Sequence, residues 1–183
     1  IIYKVVGNGT EKMATFEEGT ILDILTGLGN GFEVKRSGEK PLLIGGGVGT
    51  PPMYNLCKKL VEQGKNPVVV LGFGNIDDVF YEEKFKEMGA EVYISTVDGS
   101  YGTKGFVTDI VKDLKDYTYY YTCGPKNMLK AVYDTATTDG ELSFEEKMGC
   151  GFGACMGCTC ETTKGNKRIC KEGPVLKKEE IIW

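Results

Sequence analysis

The sequence predicts an α/β protein: a doubly wound domain on a parallel sheet, preceded by part of an antiparallel β-barrel and followed by a small cysteine-rich domain. Three observations predict it. From Lys40 to about residue 140, short continuous apolar runs alternate with amphipathic helical periods. Before that, apolar runs are separated by glycine-rich turns. After it, the helical period stops and a dense cysteine loop begins.

The barrel portion comes first. Ile1–Val6 and Thr20–Leu25 read as strands, separated by the turn Gly7-Asn8-Gly9-Thr10, and Gly27-Leu28-Gly29-Asn30-Gly31-Phe32 reads as another turn. The chain opens on Ile-Ile-Tyr, inside an expected strand, so we expect an upstream segment in the natural protein.

The alternating portion follows. Pro41–Ile44, Pro67–Phe73, Glu91–Val97 and Tyr117–Thr122 are strand-like. Between and after them, Met53/Leu56/Cys57/Leu60/Val61, Phe80–Glu87, Phe106/Val107/Ile110/Val111/Leu114 and Met128/Leu129/Val132/Tyr133/Ala136 form helical segments, most with apolar residues three and four apart. Strands apolar throughout are buried on both faces, which implies a parallel sheet with helices on each side. Right-handed crossovers then produce a Rossmann-like domain.

Gly45-Gly46-Gly47-Val48-Gly49-Thr50-Pro51-Pro52 follows the first of these strands and opens a helix. Helix N-terminal amides and the helix dipole attract phosphate, so a nucleotide pyrophosphate is expected here. A tight strand-to-helix turn is the bland alternative. Cys123-Gly124-Pro125 ends a strand of the same sheet and should face the same crevice. A 2′-phosphate wants a cation after the second strand. Asp77 and Asp78 stand there instead, so NADH is expected over NADPH.

The last quarter reads Cys150-Gly-Phe-Gly-Ala-Cys155-Met-Gly-Cys158-Thr-Cys160, with Cys170 further on: C-x4-C-x2-C, eleven residues, then C. The first three match plant-type [2Fe–2S] spacing. Gly151, Gly153, Ala154 and Gly157 leave room for backbone to pass close to inorganic sulphide, where amide groups tune the potential. Structural zinc more often uses two separated C-x2-4-C pairs or adds histidine, and it stays open as the alternative. Cys160 reads as a small residue beside the cluster and Cys57 as core.

Composition narrows the function classes. The 183 residues hold 22 basic and 26 acidic groups, a net charge of −4, seven cysteines and no histidine. The lack of histidine excludes a Rieske centre and histidine catalysis. The acidic balance without a basic patch argues against nucleic acid. No run of about eighteen apolar residues suggests a membrane helix, and seven cysteines without secretory features suggest a cytoplasmic location.

Taken together, Gly7–Thr10 with Gly27–Phe32, Gly45–Met53 with Cys123–Met128, and Cys150–Cys158 with Cys170-Lys-Glu-Gly-Pro-Val resemble the ferredoxin–NADP reductase superfamily. Within it, the likeness is to the electron-transfer subunits of class 1B dihydroorotate dehydrogenases. The resemblance implies residues 1–38 as the end of an FAD-binding barrel, 39–140 as the NAD-binding domain and 141–183 as a [2Fe–2S] domain. It implies that Ile2, Tyr3, Lys4, Gly9 and Thr10 contact FAD. Gly46, Gly47, Gly49, Thr50, Cys123 and Gly124 would line the NADH site, and Cys150, Cys155, Cys158 and Cys170 would ligate the cluster. It also implies an FMN-containing catalytic subunit as partner, in a two-plus-two heterotetramer. No acid–base catalytic residue is implied, because the cofactors carry the chemistry. The family's Arg-x-x-Ser/Thr flavin motif has no counterpart in these residues, and Thr26-Gly27 stands where Gly-Pro is usual. Two other readings are a flavin and iron–sulphur subunit of a sulphide dehydrogenase, hydrogenase or transhydrogenase complex, and a zinc-stabilised nucleotide-binding module.

Overall fold

The computed structural model describes all 183 residues. Its elements are α1 (Asn8–Met13), β1 (Pro41–Gly46), α2 (Thr50–Glu62), β2 (Val68–Phe73), α3 (Glu82–Glu87), β3 (Glu91–Thr96), β4 (Thr103–Lys104), α4 (Val107–Val111), β5 (Tyr119–Cys123), α5 (Lys126–Thr135), β6 (Gly140–Ser143), β7 (Thr159–Thr162), β8 (Gly165–Arg168) and β9 (Val175–Lys177).

Seven strands form one sheet in the order β4-β3-β2-β1-β5-β6-β9. All its pairs are parallel except β6 with β9. The chain winds outward from β1 through β2 and β3, then returns to place β5 on the other side of β1. The order therefore reverses between β1 and β5, where a doubly wound sheet opens its binding crevice.

Side-chain alternation along each strand divides the core in two. Leu42, Ile44, Val68, Val70 and Tyr120 face α4 and α5, through Val107, Ile110, Leu129 and Val132. Leu43, Val69, Leu71, Tyr119 and Tyr121 face α2 and α3, through Met53, Leu56, Leu60 and Phe85. Pro51 and Pro52 fall in the first turn of α2, where backbone N–H groups have no partner within the helix, so proline costs it nothing.

The structure differs from expectation at both ends. Ile1–Val6 and Thr20–Leu25 form no strand, and the expected turn at Gly7–Thr10 is the start of α1. A strand exists only through a partner's hydrogen bonds, and no segment lies alongside these two. The Thr10 hydroxyl instead accepts from the Val6 and Gly7 amides and donates to the Gly7 carbonyl, which winds the helix locally. At the other end, Gly140–Ser143 opens the expected cysteine-rich domain yet joins the parallel sheet. β9 then pairs with it. The cysteine segment is thus anchored through the sheet's own edge, with β7 and β8 as a separate antiparallel pair.

Residues 30–38 are bound to the sheet as well. The Glu33 amide donates to the buried Glu141 carboxylate (2.8 Å) and the Tyr121 hydroxyl to the Glu33 carbonyl (2.9 Å). The Thr118 hydroxyl donates to the Ser37 carbonyl (2.6 Å).

Candidate functional sites: a switch-point cleft and a cysteine loop

A cleft of about 880 Å³ opens at the carboxyl ends of β1, β2 and β3. Its floor is glycine. A Cβ on Gly46 would lie 2.5 Å from the Met128 sulphur, and one on Gly72 would lie 2.6 Å from Val107 Cγ1. Gly47, with φ +51°, has no atom within 4 Å of its Cβ position, so its backbone faces open space in the cleft. Asp77 and Asp78 stand on the wall after β2. Their amides donate to the Asn75 side chain at 2.9 and 3.2 Å, which holds both carboxylates on a short turn. The hydroxyl oxygen of Ser95, another lining residue, is buried without a hydrogen-bond partner. A glycine floor, an acidic wall and an unpartnered hydroxyl fit a nucleotide's phosphates, ribose and polar edge.

The expected nucleotide residues divide into two groups. Gly46 and Gly47 line the cleft; Gly49, Thr50, Cys123 and Gly124 stand behind it. A Cβ on Gly49 would overlap the Cys123 carbonyl, so this glycine joins the two loops rather than leaving room for phosphate. Thr50 is wholly buried, with its hydroxyl unpartnered. Cys123 is half-buried, and burial pushes its thiol up. Sequence reasoning missed Ser95, Val97, Phe106 and Thr108 as lining residues. The signal was available, since they lie at or just past the carboxyl end of β3 or open α4.

The expected flavin residues divide in the same way. Ile2, Tyr3 and Lys4 reach the cleft, while Gly9 and Thr10 lie on α1 outside it. The Gly27–Phe32 turn is held from the opposite end of the chain. The Asn30 amide donates to the Gly173 carbonyl (2.6 Å), and its side chain donates to the Lys171 and Glu172 carbonyls (3.1 and 3.3 Å). Gly29, at φ +65°, is needed here, because a Cβ would lie 2.7 Å from the Gly173 oxygen.

The cysteine loop arranges its four expected ligands as two pairs. The Cys155 amide donates to Cys150 Sγ and the Cys170 amide to Cys158 Sγ, so each pair is joined through backbone. No three potential ligands converge on a point that would hold a single ion. A two-iron cluster takes two thiolates on each iron, so two pairs fit it. Backbone amides are aimed at the sulphurs: Ala154 and Cys155 to Cys150 (3.2 and 3.4 Å), Gly157 to Cys155 (3.4 Å) and Cys170 to Cys158 (3.4 Å). The Cys155 and Phe152 amides hold the Cys150 thiol down to about 6, and the Cys170 amide lowers that of Cys158. The neighbouring Cys158 side chain raises Cys170. Low thiol values favour thiolates, the form that ligates metal. Gly151 (φ +77°) and Gly153 (φ +91°) turn the loop.

Cys155 is exposed and Cys150 half-buried, whereas Cys158 and Cys170 are buried. Cys160 is half-buried against the core, and Cys57 is fully buried with its thiol pushed up to about 12 by burial. Neither belongs to the two pairs.

Two family profiles match the chain over the regions that hold the cysteine loop and the cleft. The family profile described as the iron-sulfur cluster binding domain of dihydroorotate dehydrogenase B matches residues 145–182, and the oxidoreductase NAD-binding domain profile matches 43–134. The chain is 43% identical over 190 residues to the dihydroorotate dehydrogenase B (NAD(+)) electron transfer subunit of Fusobacterium nucleatum, covering 99% of this chain and 73% of that protein. It is 44% identical over 188 residues to the subunit of the same name from Bacillus velezensis, with the same coverage. Among solved structures, an NADH-dependent reduced ferredoxin-NADP oxidoreductase studied for flavin-based electron bifurcation superposes with a TM-score of 0.87 at 33% identity, over 99% of this chain and 67% of that one. A flavohemoglobin from Malassezia yamatoensis superposes at 0.55 with 16% identity, over 78% of this chain and 42% of that one, a likeness of fold alone.

Proposed function

Because the chain belongs to the electron transfer subunits of dihydroorotate dehydrogenase B, we propose that it passes electrons from NADH, through FAD and a [2Fe–2S] cluster, to a catalytic subunit that holds FMN and interconverts dihydroorotate and orotate. The observation that carries this is the pairing of Cys150 with Cys155 and Cys158 with Cys170, each through an amide-to-sulphur hydrogen bond, at one end of a chain whose sheet opens a glycine-floored cleft.

When bound, nicotinamide supplies electrons in pairs as hydride, flavin converts pairs to single electrons, and the cluster takes them singly. The protein's task is to hold and orient. Gly46 and Gly47 present backbone to the pyrophosphate at the start of α2, whose dipole favours negative charge. Asp77 and Asp78 accept from ribose hydroxyls and repel a 2′-phosphate. Ile2, Tyr3 and Lys4 offer the flavin a contact at the cleft. Gly49, Thr50, Cys123 and Gly124 support this wall from behind. Cys150, Cys155, Cys158 and Cys170 are the proposed ligands, with exposed Cys155 nearest to solvent.

We further infer a division at 1–38, 39–140 and 141–183, with the last unit sharing the sheet through β6 and β9. The proposed partner assembly is two catalytic and two electron-transfer subunits. No helix is long and apolar enough to cross a membrane, and seven unbridged thiols support a reducing cytoplasm.

The similarity to the NADH-dependent reduced ferredoxin-NADP oxidoreductase supports a second reading, in which the same machinery serves another redox complex. The partner decides between them.

The test is a visible spectrum of anaerobically purified protein, oxidised and dithionite-reduced, with iron, sulphide and zinc measured on the same sample. Bleachable absorbance with iron and sulphide is expected. Cys155→Ser should remove it and leave NADH binding intact. A colourless protein containing zinc would overturn the proposal. Co-expression with an FMN-containing dihydroorotate dehydrogenase subunit should yield NADH-linked turnover. Turnover only with a different acceptor complex would favour the second reading.

A further inference from the structure

Arg168, the last residue of β8, forms an unusually complete set of hydrogen bonds. Its Nε donates to Glu172 Oε2 (2.9 Å), its Nη2 to Glu172 Oε1, and its own backbone amide to Glu172 Oε2 (2.8 Å). The fork is therefore locked in orientation by one carboxylate. Its remaining arm, Nη1, donates to the carbonyl of buried Gly153 (2.6 Å) in the cysteine loop.

The same peptide unit carries the Ala154 amide, which donates to Cys150 Sγ (3.2 Å). A trans peptide is planar, and its C=O and N–H point in opposite directions. Holding the Gly153 oxygen outward on Arg168 therefore turns the Ala154 N–H inward onto the sulphur. Withdrawing electron density at the oxygen also makes the N–H a stronger donor, because linked hydrogen bonds polarise one another. Gly153 is required at this point: its φ is +91°, and a Cβ would lie 2.7 Å from Lys171 Cδ.

We propose that Arg168 is a positioning residue for the redox centre: by gripping the Gly153 carbonyl it aims the Ala154 N–H at Cys150 and so raises the reduction potential of the loop's metal site. The proposal rests on the [2Fe–2S] reading above. One-electron reduction adds a negative charge among the thiolates. A donor aimed at a ligand sulphur and a nearby cation both favour that added charge. Glu172 opposes part of the cationic effect while keeping the guanidinium in place.

The experiment is a potentiometric titration of the full chain, with the reduced signal followed by electron paramagnetic resonance, for wild type, Arg168→Gln, Arg168→Lys and Glu172→Gln. Arg168→Gln should shift the reduced-to-oxidised ratio at fixed potential about tenfold toward oxidised, a fall of 59 mV for one electron. Arg168→Lys, which keeps the charge and one donor, should recover part of the fall. Glu172→Gln, which removes a negative charge, should shift the potential the opposite way. Arg168→Gln with its cluster intact and an unchanged potential would overturn the proposal. If that variant does not assemble its cluster, Arg168→Lys decides, and a potential equal to wild type there would overturn it. Wild-type protein without iron and sulphide would instead overturn the cluster reading itself, and this proposal with it.

Discussion

Gly49→Ala tests what the glycine loop is for. A Cβ at this position falls on the Cys123 carbonyl carbon (2.5 Å) and close to the Gly124 nitrogen (2.9 Å). Both neighbours are backbone, so no rotamer change relieves the overlap, and the β1–α2 loop must separate from the loop after β5. Overpacking of this kind costs about 1–3 kcal/mol, and rigid backbone on both sides puts Gly49→Ala at the upper end. For a chain of this size, about 3 kcal/mol corresponds to a fall in melting temperature of about 6–12 °C. Gly47→Ala is the matched control. It meets no atom within 4 Å, and its cost is that of a left-handed φ of +51°, about 1–2 kcal/mol. Thermal denaturation followed by circular dichroism should rank Gly49→Ala well below Gly47→Ala. Titration with NADH should show weaker binding in both, through displaced walls in the first and obstructed phosphate contact in the second. A Gly49→Ala protein melting within about 1 °C of wild type would refute the packing role.

Other changes probe different parts of the molecule. Burial pushes the Glu141 carboxyl up, against the pull of the Glu33 amide and Arg36. A carboxyl raised on folding binds its proton more tightly when folded. Stability should therefore decline as pH rises from the unfolded value of about 4.3 through the raised folded value. Glu141→Gln should lose that decline while its amide oxygen still accepts from Glu33; identical melting-temperature profiles from pH 4 to 8 would contradict this. Asn30→Ala removes two bonds from the exposed Asn30 side chain to the Lys171 and Glu172 carbonyls. It should cost about 1 kcal/mol and speed hydrogen exchange at 27–32 and 170–174 together; faster exchange in only one segment would show that the two are not coupled. Asp78→Arg should lower the KM for NADPH relative to NADH by about tenfold by offering a cation to the 2′-phosphate, and an unchanged ratio in steady-state assays would separate Asp78 from the ribose site.

The doubly wound domain was legible because its signals are local. Met53, Leu56 and Leu60 recur at the helical period, and Leu42–Ile44 and Val68–Leu71 are apolar at every position, so helix, strand and burial follow from neighbours in the chain. The cysteine spacing was legible for the same reason, since Cys150, Cys155 and Cys158 are separated only by short turns and have few ways to be arranged. The strands expected at Ile1–Val6 and Thr20–Leu25 were misread because β-propensity marks a segment that suits a sheet without supplying its partner. Ile1–Val6 has strand composition and no neighbouring strand.

What only the tertiary structure decided are the contacts between segments far apart in the chain. Nothing in the sequence near Gly49 says that it abuts Cys123. Nothing near Asn30 says that it holds Lys171, or near Arg168 that its free arm takes the carbonyl of Gly153. β9 joins β6 rather than β7 because the sheet offers an open edge there. The sequence by itself determined which chemistry is present: four thiols in a glycine loop, and a strand–glycine–helix turn with acids after the next strand. The fold decided which groups face the cleft and which stand behind it. That choice depends on backbone packing between distant loops, and a one-dimensional pattern carries no signature of it.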